Sequence, residues 1–163
     1  MKIVTYPDPI LRQKAEPIKE VNDEVRKLID DMAEVMYQDD GVGLASPQIG
    51  VSKRIIVLDA GEGFSAMINP EIIELSKEEE SMEEGCLSLP DIRLQVKRPT
   101  KIVIRGLNEK GEPVEFEKDG LMARVYQHET DHLNGILIID HASTVQRQLL
   151  RSKIKNLVKA FST

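Results

Sequence analysis

The chain predicts an α+β fold: a mainly antiparallel β-sheet packed with an N-terminal helix, a central helix and a C-terminal helix. Three observations carry this reading. Apolar residues recur at helical spacing in three stretches, near the start, in the last third and at the end. Short β-branched runs bounded by turn residues fill the middle. The resulting order, strands between helices with no alternating strand–helix rhythm, suits helices packed on an antiparallel sheet.

Taken in order, residues 6–20 contain Pro7, Pro9 and Pro17 and should run as irregular, extended chain. Asn22 is an N-cap for a helix opened by Asp23 and Glu24, with an apolar face of Val25, Leu28, Ile29, Met32, Ala33 and Met36. It ends at "DDGVG". Strands follow at 54–59, 65–69, 71–75, 93–97 and 101–107. A turn at 108–111 leads into "PVEFE". The central helix should start at Asp119 as N-cap and stop at Gly135, with Leu121, Val125, His128 and His132 facing inward. The last helix, roughly 143–161, should bury Val145, Leu149, Leu150, Ile154, Leu157, Val158 and Phe161.

At 163 residues the chain reads as a single catalytic-sized domain, 1–163, without repeats or a linker. Its 40% hydrophobic and 31% charged residues are an ordinary globular composition. The first residues lack the apolar core of a secretory signal, and no apolar run approaches the roughly 20 residues of a membrane helix. The expected compartment is therefore the cytoplasm. The net charge of −6 argues against DNA or other broad nucleic-acid binding. That charge is uneven: residues 141–163 carry Arg147, Arg151, Lys153, Lys155 and Lys159 and no acid. One cysteine, Cys86, excludes an internal disulfide.

The chemistry concentrates in "QHETDHLNG", residues 127–135. His128 and His132 are one turn apart on one helix face, so both imidazoles can reach one ion. Glu129 lies about 100° round from His128, beside the ion, where a general base for an activated water belongs. Two satisfied core histidines would be the bland alternative, but these are two of only three histidines and they straddle a glutamate. A catalytic site of this kind needs a third protein ligand and an open position. Ile138 stands where the long metalloprotease signature has a histidine, and no glutamate follows Glu129. His141 and Cys86 remain. Cys86 is the better donor chemically, because a cation beside a thiol deprotonates it. Glu84 and Asp131 are near enough in sequence to orient the ligands.

The stretch "GVGLASPQIG" (41–50) is neither a dinucleotide fingerprint nor a phosphate-binding loop. It offers Gln48, an amide beside Pro47 that can stabilise an oxyanion. Together "GVGLASPQ", "EGCLS" and "QHETDHLNG", in this order, resemble the three motifs of peptide deformylases, and "YPDPILR" resembles that family's opening. The similarity spans essentially the whole chain.

That resemblance implies metal ligands Cys86, His128 and His132, with Glu129 as acid/base and Gln48 and the Leu87 backbone N–H on the oxyanion. It implies N-formylmethionyl peptides as substrates, bound as an added strand along Val42 and Gly43, with Met82, Leu121, Arg124, Val125 and His128 lining the methionine pocket. Arg98 falls where some members place an arginine near the substrate backbone. The cofactor would be one divalent ion, ferrous iron in the cell, with Zn²⁺, Ni²⁺ or Co²⁺ also suited to the ligand set. Docking of the basic C-terminal helix to the ribosome is a further implication. Ser46 departs from the alanine usual in the family, placing a hydroxyl close to Gln48 in sequence. Two rivals remain: an endopeptidase of the H-E-x-x-H class, and a metal or redox sensor built on Cys86.

Overall fold

The computed structural model describes residues 1–162. Helix α1 (Asp23–Gln38) begins as expected: the Asn22 side chain accepts the Val25 N–H at 3.0 Å, and Asp23 and Glu24 sit at its positive end. Its inward face is Val25, Ile29, Met32, Val35 and Met36.

Five strands form an antiparallel sheet in the order β1 (Gly43–Ala45), β2 (Ile55–Leu58), β3 (Ser65–Leu75), β6 (Lys101–Leu107) and β7 (Pro113–Asp119). Strand β2 explains how helices cover both faces. All four of its residues are fully buried. Ile55 and Val57 pack with α1, while Ile56 and Leu58 pack with α2 (Gly120–Leu133). Each such side chain contributes roughly 1.5–3 kcal/mol by leaving water, so this short strand is the hub of the core. A separate hairpin, β4 (Glu79–Cys86) paired with β5 (Leu89–Pro99), packs through Leu89, Ile92, Leu94 and Val96 on Leu11, Ile138, Ile139 and the C-terminal helix α3 (Thr144–Ser162).

Several expectations need correcting. Residues 65–75 are one strand, not two; its register against β6 shifts between Ile68 and Glu71, where Asn69 takes φ 53° and Pro70 has no N–H to give. Residues 43–45 and 79–86 are two further strands beyond those that the sequence predicts. Asp119 precedes α2 in extended conformation, but its side chain makes no capping bond. Leu121 is exposed rather than inward, because the first turn of α2 projects past the sheet to a cavity rim. On α3 only Leu150 is buried, with Ile154 and Leu157 packed beside it; Val145, Leu149, Val158 and Phe161 are exposed. Just one stripe of that helix meets the hairpin.

Gly135 ends α2 in the left-handed region, φ 72°, and a Cβ there would stand 2.5 Å from the Arg12 carbonyl. Only glycine fits.

Candidate metal centre

Two elements converge on the site. Helix α2, wedged against β1 and β2, presents His128 and His132 with ring centroids 5.2 Å apart. The β4–β5 hairpin presents Cys86 just before its tip, Leu87–Ser88. Cys86 Sγ lies 3.3 Å from His132 Nε2, and one donor atom from each of the three residues falls within 4.8 Å of the others. His141 is elsewhere: its Nε2 is 3.0 Å from Asp131 Oδ2, outside the cluster.

The imidazoles are held differently. His128 Nδ1 is 2.9 Å from Glu84 Oε1, which turns Nε2 toward the centre. Glu84 in turn accepts both Nε and Nη2 of Arg98, at 2.7 and 3.0 Å, and Nη1 of Arg124 at 2.6 Å. Burial would raise the Glu84 carboxyl, but hydrogen bonds from His128 and Arg98 overcome it and hold the group well below the usual carboxylate range. Burial also opposes charge on His128, yet Glu129, Cys86 and Glu84 push its pKa well above the ordinary value. His132 goes the other way: burial, then the charges of His128 and Arg98, drive its pKa well below the ordinary value. Its Nδ1 is buried with no hydrogen-bond partner.

This donor set suits a metal ion. One sulfur and two nitrogens converge, and the remaining side opens into a cavity of about 350 Å³ lined by all three motifs. Glu129 is almost fully buried on that side, its Oε2 3.9 Å from His128 Nε2 and its Oε1 without a partner. Burial pushes its pKa up to about 7, with His128 and Arg98 pulling the other way. Gln48 lies in a 3₁₀ turn, Ser46–Ile49, and its Nε2 donates toward Cys86 Sγ at 3.6 Å. The Ser46 hydroxyl donates to the Val51 carbonyl at 2.6 Å, closing that turn without touching Gln48.

Val42, Gly43, Met82, Leu87, Leu121, Arg124 and Val125 all line the cavity. Arg124 does so through its stem, since its guanidinium is taken by Glu84 and by the carbonyls of Val96 and Glu80. Arg98 does not line it. It is buried against Glu84 and Asp131, so its sequence-based placement beside the substrate backbone is replaced by a place behind the ligands. The cavity rim includes the sheet's edge strand β1. Asp59 N–H bonds the Val42 carbonyl at 2.9 Å, so by antiparallel alternation Gly43 turns its N–H and C=O outward. A Cβ on Gly43 would meet Glu129 Oε2 at 2.6 Å and Val125 Cγ1 at 2.9 Å, so a larger residue there would push the Glu129 carboxylate out of its place. Glu84 was legible as an acid next to the cysteine motif; Ser88, on the hairpin tip against Gln48, carried no signal of its own.

A thiol and two imidazoles around an open position, with a buried carboxylate and an amide donor beside it, define a metal-dependent hydrolase. The comparisons with known proteins make that class specific. The family model for polypeptide deformylase matches residues 1–148, and the chain belongs to that family. A peptide deformylase of Thermotoga sp. (strain RQ2) is 48% identical over 158 residues, covering 97% of this chain and 96% of the relative. One from Carboxydothermus hydrogenoformans is 52% identical over 147 residues, covering 90% and 96%. Among solved structures, a Plasmodium falciparum peptide deformylase in complex with an inhibitor superposes with a TM-score of 0.92 at 39% identity, over 97% of this chain and 99% of that one. The Thermotoga maritima enzyme gives 0.86 at 49%, over 87% and 97%. The chain is accordingly a metal-dependent hydrolase that removes the N-formyl group from the N-terminal formylmethionine of nascent polypeptides, releasing formate. Among the described residues no helix is long and apolar enough to cross a membrane.

Proposed function

We propose that residues 1–163 form one catalytic unit in which Cys86, His128 and His132 hold a single divalent ion and Glu129 carries the proton. The observation that supports this best is the convergence of the three donors beside a buried, partly unpartnered carboxylate. When bound, the ion supplies Lewis acidity for activating water and polarising the formyl carbonyl. Glu129 takes the proton released as water adds to the formyl carbon and returns it to the departing amine nitrogen. Gln48 Nε2–H and the Leu87 backbone N–H donate to the developing oxyanion. The peptide adds as a strand along β1 through backbone groups of Val42 and Gly43, with the N–H and C=O of Gly43 facing outward and the Val42 carbonyl already held by Asp59 N–H. Met82, Leu121, Val125 and the Arg124 stem enclose the methionine side chain. Ferrous iron is the cellular ion in this reading, and one thiolate with two imidazoles also suits Zn²⁺, Ni²⁺ or Co²⁺.

Formyl-Met-Ala incubated with the metal-loaded protein should yield formate stoichiometrically, and unformylated internal peptides should stay intact. Formate no higher than in a chelated control, or cleavage of the internal peptides, contradicts the assignment.

The enzyme works in the cytoplasm, and α3 docks it to the ribosome where formylated chains emerge. Arg147, Arg151, Lys155 and Lys159 support this docking: they are exposed and four residues apart, so they form one basic stripe. Co-sedimentation with ribosomes should weaken with salt and be lost when Arg151 and Lys155 are changed to Glu; binding that survives the double change rules the stripe out.

A further inference from the structure

Gln48 presents an amide whose two ends do opposite things. Its Oε1 accepts the Ala45 backbone N–H at 2.9 Å. Only an acceptor can meet that N–H, so the NH₂ end must face the other way. There it donates to Ser88 Oγ at 3.1 Å and points to Cys86 Sγ at 3.6 Å. Both residues are buried, Gln48 at 2% and Ser88 at 0% exposure. Ser88 is itself fixed, because its carbonyl accepts the Tyr6 N–H at 2.9 Å and it forms half of the hairpin tip.

We propose that Ser88 is a positioning residue for deformylation: its hydroxyl, 3.1 Å from Gln48 Nε2, locks the plane of that amide with the second proton turned toward Cys86 Sγ on the cavity wall, beside the place the oxyanion takes. The inference rests on the assignment of Gln48 as an oxyanion donor. One anchor cannot do this alone. The terminal torsion of glutamine is a broad well, so an amide held only at Oε1 swings about that contact. A second contact on the opposite end fixes the plane. Oxyanion stabilisation needs the donor 2.7–3.1 Å from the oxygen, and such sites tolerate only about 0.5 Å or 10–20° of error. Ser88 Oγ also occupies one of the two amide protons, which leaves the proton now turned to Cys86 Sγ, at a long 3.6 Å, as the one to serve the oxyanion.

The test is a double-mutant cycle on the metal-loaded enzyme with a formyl-Met peptide. Loss of one oxyanion donor costs about 10²–10³ in kcat, so a donor present but badly aimed, as in Ser88→Ala, should cost roughly 10-fold. KM and metal content should stay at wild-type values. In a Gln48→Ala background the same Ser88→Ala change should cost less than about 2-fold, since contacting residues of one network do not add. An equal loss in both backgrounds, or none in the wild type, overturns the role of Ser88. Full kcat in Gln48→Ala alone removes the oxyanion role of Gln48 and this inference with it. A measurement independent of the Ser88 variant uses the zinc-loaded wild-type enzyme. There the Gln48 side-chain amide should give two resolved proton signals that exchange slowly with water. Exchange as fast as that of a surface glutamine overturns the lock.

Discussion

Replacing Glu129 with glutamine should leave the metal content unchanged and lower kcat at least about 100-fold, the usual cost of deleting a general acid–base group. Elemental analysis and a formate assay on the same preparation measure both. The reason is geometric before it is chemical. Glu129 comes off the α2 turn that carries His128, yet its Oε2 stays 3.9 Å from His128 Nε2 and it contributes no donor to the thiol–imidazole cluster. Its Oε1 is buried without a partner, an arrangement that costs stability unless something arrives to use it. Burial pushes its pKa up to about 7, near the value at which one carboxyl can both take and return a proton at physiological pH. Glutamine keeps the shape and removes the proton transfer. Turnover retained in that variant removes Glu129 from the chemistry, and loss of the metal would make it a ligand.

Changing Glu84 to alanine should be the most destabilising single substitution near the site. The carboxylate receives donors from Arg98, Arg124 and His128, and its side chain is only 5% exposed. Its loss leaves two buried guanidinium groups short of their counter-charge, which typically costs about 3–5 kcal/mol. For a chain of this size that is a fall in Tm of roughly 10 °C or more. Metal affinity should drop as well, by about 10–100-fold, because His128 loses the partner that orients its ring. The pH dependence has a definite sign. The folded pKa of Glu84 is depressed, so its contribution is complete above the unfolded value of about 4.3 and is lost as pH falls toward the folded one. The stability gap between wild type and variant should thus be constant near neutrality and shrink in acid. A variant melting within about 2 °C of wild type would show that the arginines find other partners.

How much of this was legible in sequence follows from how far each signal is local. The Asn22 cap, the i, i+4 histidines and the Gly135 stop are local, and the structure matches each. Strand β4 was missed because "EESMEEGC" is a ribbon with mostly solvated side chains, so no apolar alternation marks it. Strand β1 is three residues long, too short for any period. The apolar face of α3 was overcounted because periodicity says which residues share a side, not how far the partner surface extends. Arg98 was misplaced for a related reason. Its partners Glu84 and Asp131 lie 14 and 33 residues away, and only folding shows that the guanidinium is spent on them. Cys86 is the opposite case: 46 residues separate its sulfur from the His132 nitrogen it approaches, and chemistry favoured it over the nearer His141.

The most direct measurement is the affinity of a Cys86→Ser variant for the divalent ion, by competition with a chelator against wild type. A thiolate that closes the coordination sphere should be worth more than the roughly 10–100-fold lost with an outer partner, so binding should weaken beyond that range and formate production should vanish. A serine variant that holds its ion as tightly as wild type would place the metal elsewhere and contradict the account.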